Sequence, residues 1–158
     1  MIVHIIDTDC AFIEIDNIIE ALDIGEYPII KDEFYLTSKY DEIISRFKNK
    51  KEIYENLAFK KEFRNVPYYV YYFSRNLEHA IHNKLSVSKK EKIELACLFD
   101  KTYNKDVDGF KKCLKDILFS IPNNYDESWN YILGNNSFKR CSNLVLLLQW
   151  FDENLRDK

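Results

Sequence analysis

The sequence predicts an α/β chain whose strands lie early and whose helices fill the second half. Three observations carry this reading. Gly and Pro number only 3 each in 158 residues, too few for the turns of an all-β sandwich or barrel. Residues 68–73 are an unbroken aromatic and β-branched run, and residues 2–6 a β-branched run with one polar interruption. From Ser88 onward, apolar residues recur at helical spacing. The expected architecture is a small, mostly parallel sheet in the N-terminal half followed by a helix-rich C-terminal half. Residues 1–158 are expected to form a single α/β domain, long enough to bury a core.

Residues 2–6, apolar on both faces, suit a central strand of a covered sheet, ending abruptly at Asp7-Thr8-Asp9. Residues 10–36 mix helical and alternating spacing, which predicts a loop with a short helix over 16–22, irregular chain through Gly25 and Pro28, and a short edge strand over 34–36. Thr37 or Ser38 can cap a helix starting at Lys39 and running to about Ala58, with 49–51 as an interruption. Its opposite face carries Lys48, Lys50, Lys51, Lys60 and Lys61, a solvated face or a set of phosphate contacts. Val66-Pro67 closes that segment, and Pro67 is tolerated at a strand start.

A helix is expected over 75–81, after the aromatic strand. Ser88-Lys89-Lys90-Glu91 reads as a capping box, with Ile93, Ala96, Cys97, Leu98 and Phe99 as the buried side of the helix it opens. Further helices are expected over 106–119, with Phe110, Cys113, Leu114, Ile117 and Leu118 inward, and near 126–133 and 139–155. Cys97, Cys113 and Cys141 read as small buried apolar residues of a reducing compartment, because no cysteine spacing matches a zinc site.

The net charge is −3, so there is no global basic signature of nucleic-acid binding. No apolar run approaches the roughly 20 residues of a membrane helix, and residues 2–6 are too short for a signal sequence. The expectation is a cytoplasmic protein with no membrane partner.

Three segments carry residues with chemical potential. In Asp7-x-Asp9, alternate strand residues share a side with Cα atoms roughly 6.5 Å apart. Two carboxylates so placed repel each other unless a proton or cation intervenes. Mg²⁺ or Mn²⁺ fits, as a hard cation held by one or two carboxylates with waters. The carboxyl end of a strand is also where open α/β sheets bind ligands. The plain alternative is a solvated strand end capping a turn. In Ser74-Arg75-Asn76-Leu77-Glu78-His79, Glu78 can complete a three-carboxylate site, Arg75 can neutralise a phosphate and His79 can act as base or ligand. Otherwise Glu78 is a first-turn acid complementing a helix dipole, and His79 is structural. In the segment 136–143, amides, hydroxyls and cations can receive phosphate at a helix start, or simply cap it.

Taken together, these segments resemble a known family. A hydrophobic strand ending in Asp7-Thr8-Asp9 resembles the second acidic motif of Toprim folds, the metal-binding domain of topoisomerases, primases and overcoming-lysogenization-defect nucleases. Tyr72-Phe73-Ser74-Arg75-Asn76-Leu77-Glu78-His79-Ala80-Ile81-His82 resembles the serine-asparagine and glutamate-helix block of Toprim-like abortive-infection proteins of the RloB type, in which a late asparagine enters the final helix as Asn143 does. The resemblance covers about a third of the chain. It departs from the pattern in lacking the glutamate-bearing strand that normally precedes Asp-x-Asp, and Cys10 stands where many acidic-loop motifs have glycine. A second chain supplying the missing strand, a differently built site and lost activity each accommodate that departure.

The resemblance implies a divalent-metal-dependent, nuclease-like protein of phage defence acting on phosphodiester bonds. Asp7, Asp9 and Glu78 would be the metal ligands, and Glu78, Arg75 and His79 the catalytic group, with Mg²⁺ or Mn²⁺ as cofactor and nucleic acid as partner. Two alternatives stand beside it. One is a small phosphohydrolase of the haloacid dehalogenase type with Asp7 as nucleophile, although a downstream lysine and paired-aspartate block is lacking. The other is a non-catalytic interaction module on a degenerate Toprim-like scaffold, binding a protein partner through aromatic anchors.

Overall fold

A computed structural model describes residues 1–25, 28–31, 33–115, 124–134 and 139–155. The chain is α/β, and its strands divide between two small mixed sheets. The first has the order β1-β6-β5, formed by β1 (Ile2–Asp7), β5 (Glu62–Phe63) and β6 (Val66–Phe73). β1 runs parallel to β6, with Ile2 opposite Tyr68 and Asp7 opposite Phe73, while β5 joins β6 in an antiparallel hairpin. The hairpin turn is Arg64-Asn65, both at positive φ (51° and 62°), the combination that matches strand twist in a two-residue loop.

β6 holds the centre of this sheet. Tyr68, Val70 and Tyr72 enter one core cluster with Phe12, Trp129 and Ile132, and Tyr71 and Phe73 enter the opposite cluster with Ala80, Leu114, Leu144 and Leu147. Burial on both faces is why its sequence is continuously aromatic rather than alternating. β1 was expected to be central and covered. Among the described strands it has β6 as its single neighbour, and Ile5 is 52% exposed. A β-branched run specifies extended backbone, but neighbours are supplied by distant chain.

The second sheet, of order β2-β4-β3, replaces the expected loop and short helix. β2 (Ile18–Glu20) follows a single 3-10 turn at Ile15–Asn17 and pairs in parallel with β4 (Phe34–Thr37), and β3 (Ile29–Lys31) pairs antiparallel on the other side. β4, expected at an edge, is therefore the middle strand. Ile18, Ile30 and Tyr35 fall in register and bury against Cys10, Ile13, Ile43 and Phe47. Three-residue strands are too short for a period to be read, and pairing decides them.

Helix α1 (Tyr40–Ala58) runs unbroken through residues 49–51, where no Gly or Pro interrupts it. Neither proposed cap holds it: the residue at the cap position is Lys39, and Thr37 Oγ1 accepts the Lys39 N–H before the helix starts. α2 (Leu77–His82) is fixed at one end by Asn76, whose side chain accepts the His79 N–H, and at the other by Asn83 at φ 55°. The capping box at Ser88 and Glu91 opens α3 (Lys89–Tyr103) as expected. α4 (Val107–Leu114), α5 (Tyr125–Leu133) and α6 (Leu144–Leu155) follow. Ile117 and Leu118 lie outside the described residues.

The expected buried side of α3 is not buried: Ile93 is 62% and Leu98 51% exposed, and Cys97 is exposed too. The helical period was correct, but only Leu95, Phe99 and Tyr103 approach the body of the chain. Cys113 is half-buried, whereas Cys141 is buried. No described helix is long and apolar enough to cross a membrane.

Candidate functional site

The carboxyl ends of β1 and β6 are laced together by backbone. Thr8 N–H donates to Phe73 O at 3.1 Å, Asp9 N–H donates to Arg75 O at 2.6 Å, and Arg75 N–H donates to Thr8 Oγ1 at 2.6 Å. Thr8 is fully buried. The turn needs left-handed backbone at Asp9 (φ 49°), Cys10 (φ 62°) and Arg75 (φ 69°). None of these is glycine, so the hydrogen bonds offset a real steric cost. Ser74 is tied from the other side, its hydroxyl donating to Lys139 O at 2.6 Å and accepting from Cys141 N–H at 2.9 Å. Thr8→Val keeps the shape but leaves the Arg75 N–H buried without an acceptor. It should cost about 1–3 kcal/mol, read from the urea midpoint; an unchanged midpoint would show that the turn does not depend on this bond.

This lacing sets Asp7, Asp9, Arg75 and Glu78 around one end of the sheet. The Asp7 carboxyl is pushed up to about 6, first by partial loss of water and then by the charges of Asp9 and Glu78. Lys92 and Lys50 pull it the other way. The three acids thus feel one another, as expected for carboxylates sharing a small volume. They do not converge into a cage. Asp9 forms an ion pair with Lys50, from the helix face expected to be solvated, and the Tyr54 hydroxyl donates to the Asp7 carbonyl at 3.1 Å. Among the described residues no group of three or more His, Cys, Asp or Glu is placed to hold a metal ion. The three-acid centre expected at Asp7, Asp9 and Glu78 is therefore not formed among the described residues.

His79 sits inside the fold rather than at the sheet end. It is 2% exposed, and burial followed by the nearby Arg75 charge pushes its imidazole down to about 4, against a hydrogen bond with the Ser74 backbone. It is neutral at pH 7, and its buried Nδ1 has no hydrogen-bond partner among the described residues. Nothing places it on an approach to Asp7. Arg75 is 4% exposed, and its Nη2 donates to Leu85 O.

The segment ending at Asn143 is used for packing. Ser142 Oγ donates to Tyr72 O at 2.6 Å, Asn143 Oδ1 accepts Tyr72 N–H at 2.7 Å, and Arg140 Nε donates to Ala80 O at 2.6 Å. The phosphate-receiving role considered for this segment therefore has no free groups at Ser142 and Asn143. Asn136, Ser137 and Phe138 lie outside the described residues.

Sequence reasoning missed the neighbourhood on the other side of Arg75. A cavity of about 590 Å³ opens there between the second sheet, the Asp9-Cys10 turn and the start of α3. Its walls include Tyr35, Arg46 and Lys92, which lie far apart in sequence and carry no motif. No protein-family model, curated protein or solved structure matches this chain.

Proposed function

We propose that the chain is a phosphoester-processing protein of the Toprim-like kind, acting on phosphodiester bonds with a divalent metal at the carboxyl end of β1. The observation that carries the reading is Asp7 at the carboxyl end of β1, partly stripped of water and facing the charges of Asp9 and Glu78, beside the buried Arg75. A bound Mg²⁺ or Mn²⁺ would supply Lewis-acid polarisation of a phosphoryl oxygen and a more acidic water. Asp7 and a neighbouring carboxylate would hold it. Lys50 keeps Asp9 in place, and Arg75 supplies positive charge for the phosphoryl group. His79 drops out of the catalytic group because it is buried and neutral. Nucleic acid as substrate, a role in phage defence and a second chain completing the sheet belong to the same proposal.

The test compares wild type with Asp7→Asn and Glu78→Gln, with and without Mn²⁺. Asp7→Asn removes a partly desolvated charge together with its repulsion from Asp9 and Glu78. The apo protein should gain roughly 1 kcal/mol at pH 7, a figure reduced for solvent screening. The sign follows from the raised carboxyl: its penalty on the folded state is present above about pH 6 and disappears as Asp7 takes up its proton toward pH 4. Mn²⁺ should raise the melting temperature of wild type, and both variants should lose that rise together with phosphodiesterase activity. A Mn²⁺ response that survives in both variants sinks the metal site.

A non-catalytic interaction role is favoured by one observation, the exposed Ile93 and Leu98 on α3. It predicts no Mn²⁺ response at millimolar metal. A phosphohydrolase using Asp7 as nucleophile predicts instead a phosphorylated Asp7 trapped on acid quench.

A further inference from the structure

The cavity beside Arg75 is cationic where its chemistry is concentrated. Arg46, Arg75, Lys89 and Lys92 line it, and among the described residues the single lining carboxylate is Asp9, which Lys50 already neutralises. Arg75 is the unusual member. It is 4% exposed, its Nη1 has no hydrogen-bond partner among the described residues, and its Nη2 donates to the Leu85 carbonyl. None of the salt bridges among the described residues includes it. The nearby Asp9 charge attracts Arg75 but forms its ion pair with Lys50, so the buried guanidinium keeps a cost that an anion in the cavity relieves. Burial also pulls this guanidinium down, the direction expected of a cation short of a partner. Ser86 and Ser88 add hydroxyls, although the Ser88 hydroxyl and N–H are both engaged with the Glu91 carboxylate.

The remaining wall is apolar: Ile30, Tyr35, Leu85 and Val87. A volume of about 590 Å³ lies within the range of pockets that enclose small ligands. One end of the occupant is thus an anion and the other a flat or apolar group. We propose that this cavity binds a nucleoside monophosphate moiety, with its phosphate against Arg75, Arg46 and Lys92 and its base against Tyr35 and Val87, in the absence of any metal. The moiety can be a free nucleotide or the terminal residue of a nucleic-acid strand. The inference names a substrate class for the phosphoester reading but does not depend on the carboxylates holding a cation.

The experiment is done in EDTA, so failure of the metal site cannot mimic failure of the cavity. Melting temperature and calorimetric affinity are measured with AMP, inorganic phosphate and adenosine, and with a short 5′-phosphorylated oligonucleotide beside its unphosphorylated twin. AMP should stabilise most, inorganic phosphate less, and adenosine least. Tighter binding of the phosphorylated oligonucleotide than of AMP identifies a strand end as the source; equal or weaker binding identifies the free nucleotide. Arg46→Ala and Lys92→Ala are exposed changes that should leave folding intact. Each should weaken AMP by roughly threefold to fivefold, the size expected of a partly screened charge contact. Lys60→Ala, just past the end of α1 and outside the cavity wall, should leave it unchanged. No stabilisation by AMP or phosphate at millimolar concentration overturns the proposal. So does AMP binding that both variants retain, or adenosine binding as tight as AMP.

Discussion

Asn143→Ala should destabilise the protein by about 3 kcal/mol, the combined cost of stranding buried polar groups and opening a small cavity. Asn143 is 1% exposed. Its Oδ1 accepts the backbone N–H of Tyr72, near the carboxyl end of the central strand, at 2.7 Å, and its Nδ2 donates to Ser128 Oγ on α5 at 3.0 Å. The side chain therefore substitutes for a neighbouring strand on that side of β6. Asn143→Leu is the decisive companion, because it fills the volume but makes neither bond. Comparable loss in both variants by urea denaturation would locate the energy in the hydrogen bonds. Recovery in the leucine variant would locate it in packing and remove the strand-substitute role. The resemblance singled out this asparagine by position; its bonds give it an architectural task.

Acid should weaken the fold through His79. With its imidazole pushed down from 6.5 to about 4, the unfolded chain binds a proton that the folded chain refuses between those values. The contribution is fully present above pH 6.5 and is lost as pH falls toward 4, a loss of about 2–3 kcal/mol for a group this deeply buried. Asp7 works in the opposite direction, since its raised carboxyl favours the folded state as pH falls through 6. Asp7 is solvent-exposed whereas His79 is 2% exposed, so screening makes its effect the smaller one and His79 decides the slope. His79→Gln, which cannot charge, should flatten the stability profile between pH 7 and 4.5 by about 2 kcal/mol. A profile as steep as wild type would mean that the imidazole is reached by water and protonates without cost.

Several features were legible in the sequence because they are local. The aromatic run at 68–73 specified a strand, and Ser88-x-x-Glu91 specified a helix start to the residue. The Asp7-x-Asp9 motif placed Asp7 at the carboxyl end of β1, but Asp9 lies past the strand in a left-handed turn at φ 49°, so the strand alternation expected of the pair does not hold, and its charge reaches Asp7 through the turn. Other features were decided only by tertiary contacts. Ile18–Glu20, Ile29–Lys31 and Phe34–Thr37 are strands because they pair with one another, and three residues are too few to display a period. The direction faced by α3 was set by what lay beside it, so a correct helical period gave the wrong buried face. Lys50 was one lysine of a charged face until the fold brought it to Asp9 across 41 positions. The same holds for the cavity. Residues 35, 46, 75 and 92 share a wall because the second sheet, α1, the Ser74-Arg75 turn and α3 meet there. Side-chain chemistry is written along the chain, but the field around Arg75 is a sum over distant segments, and only folding performs that sum.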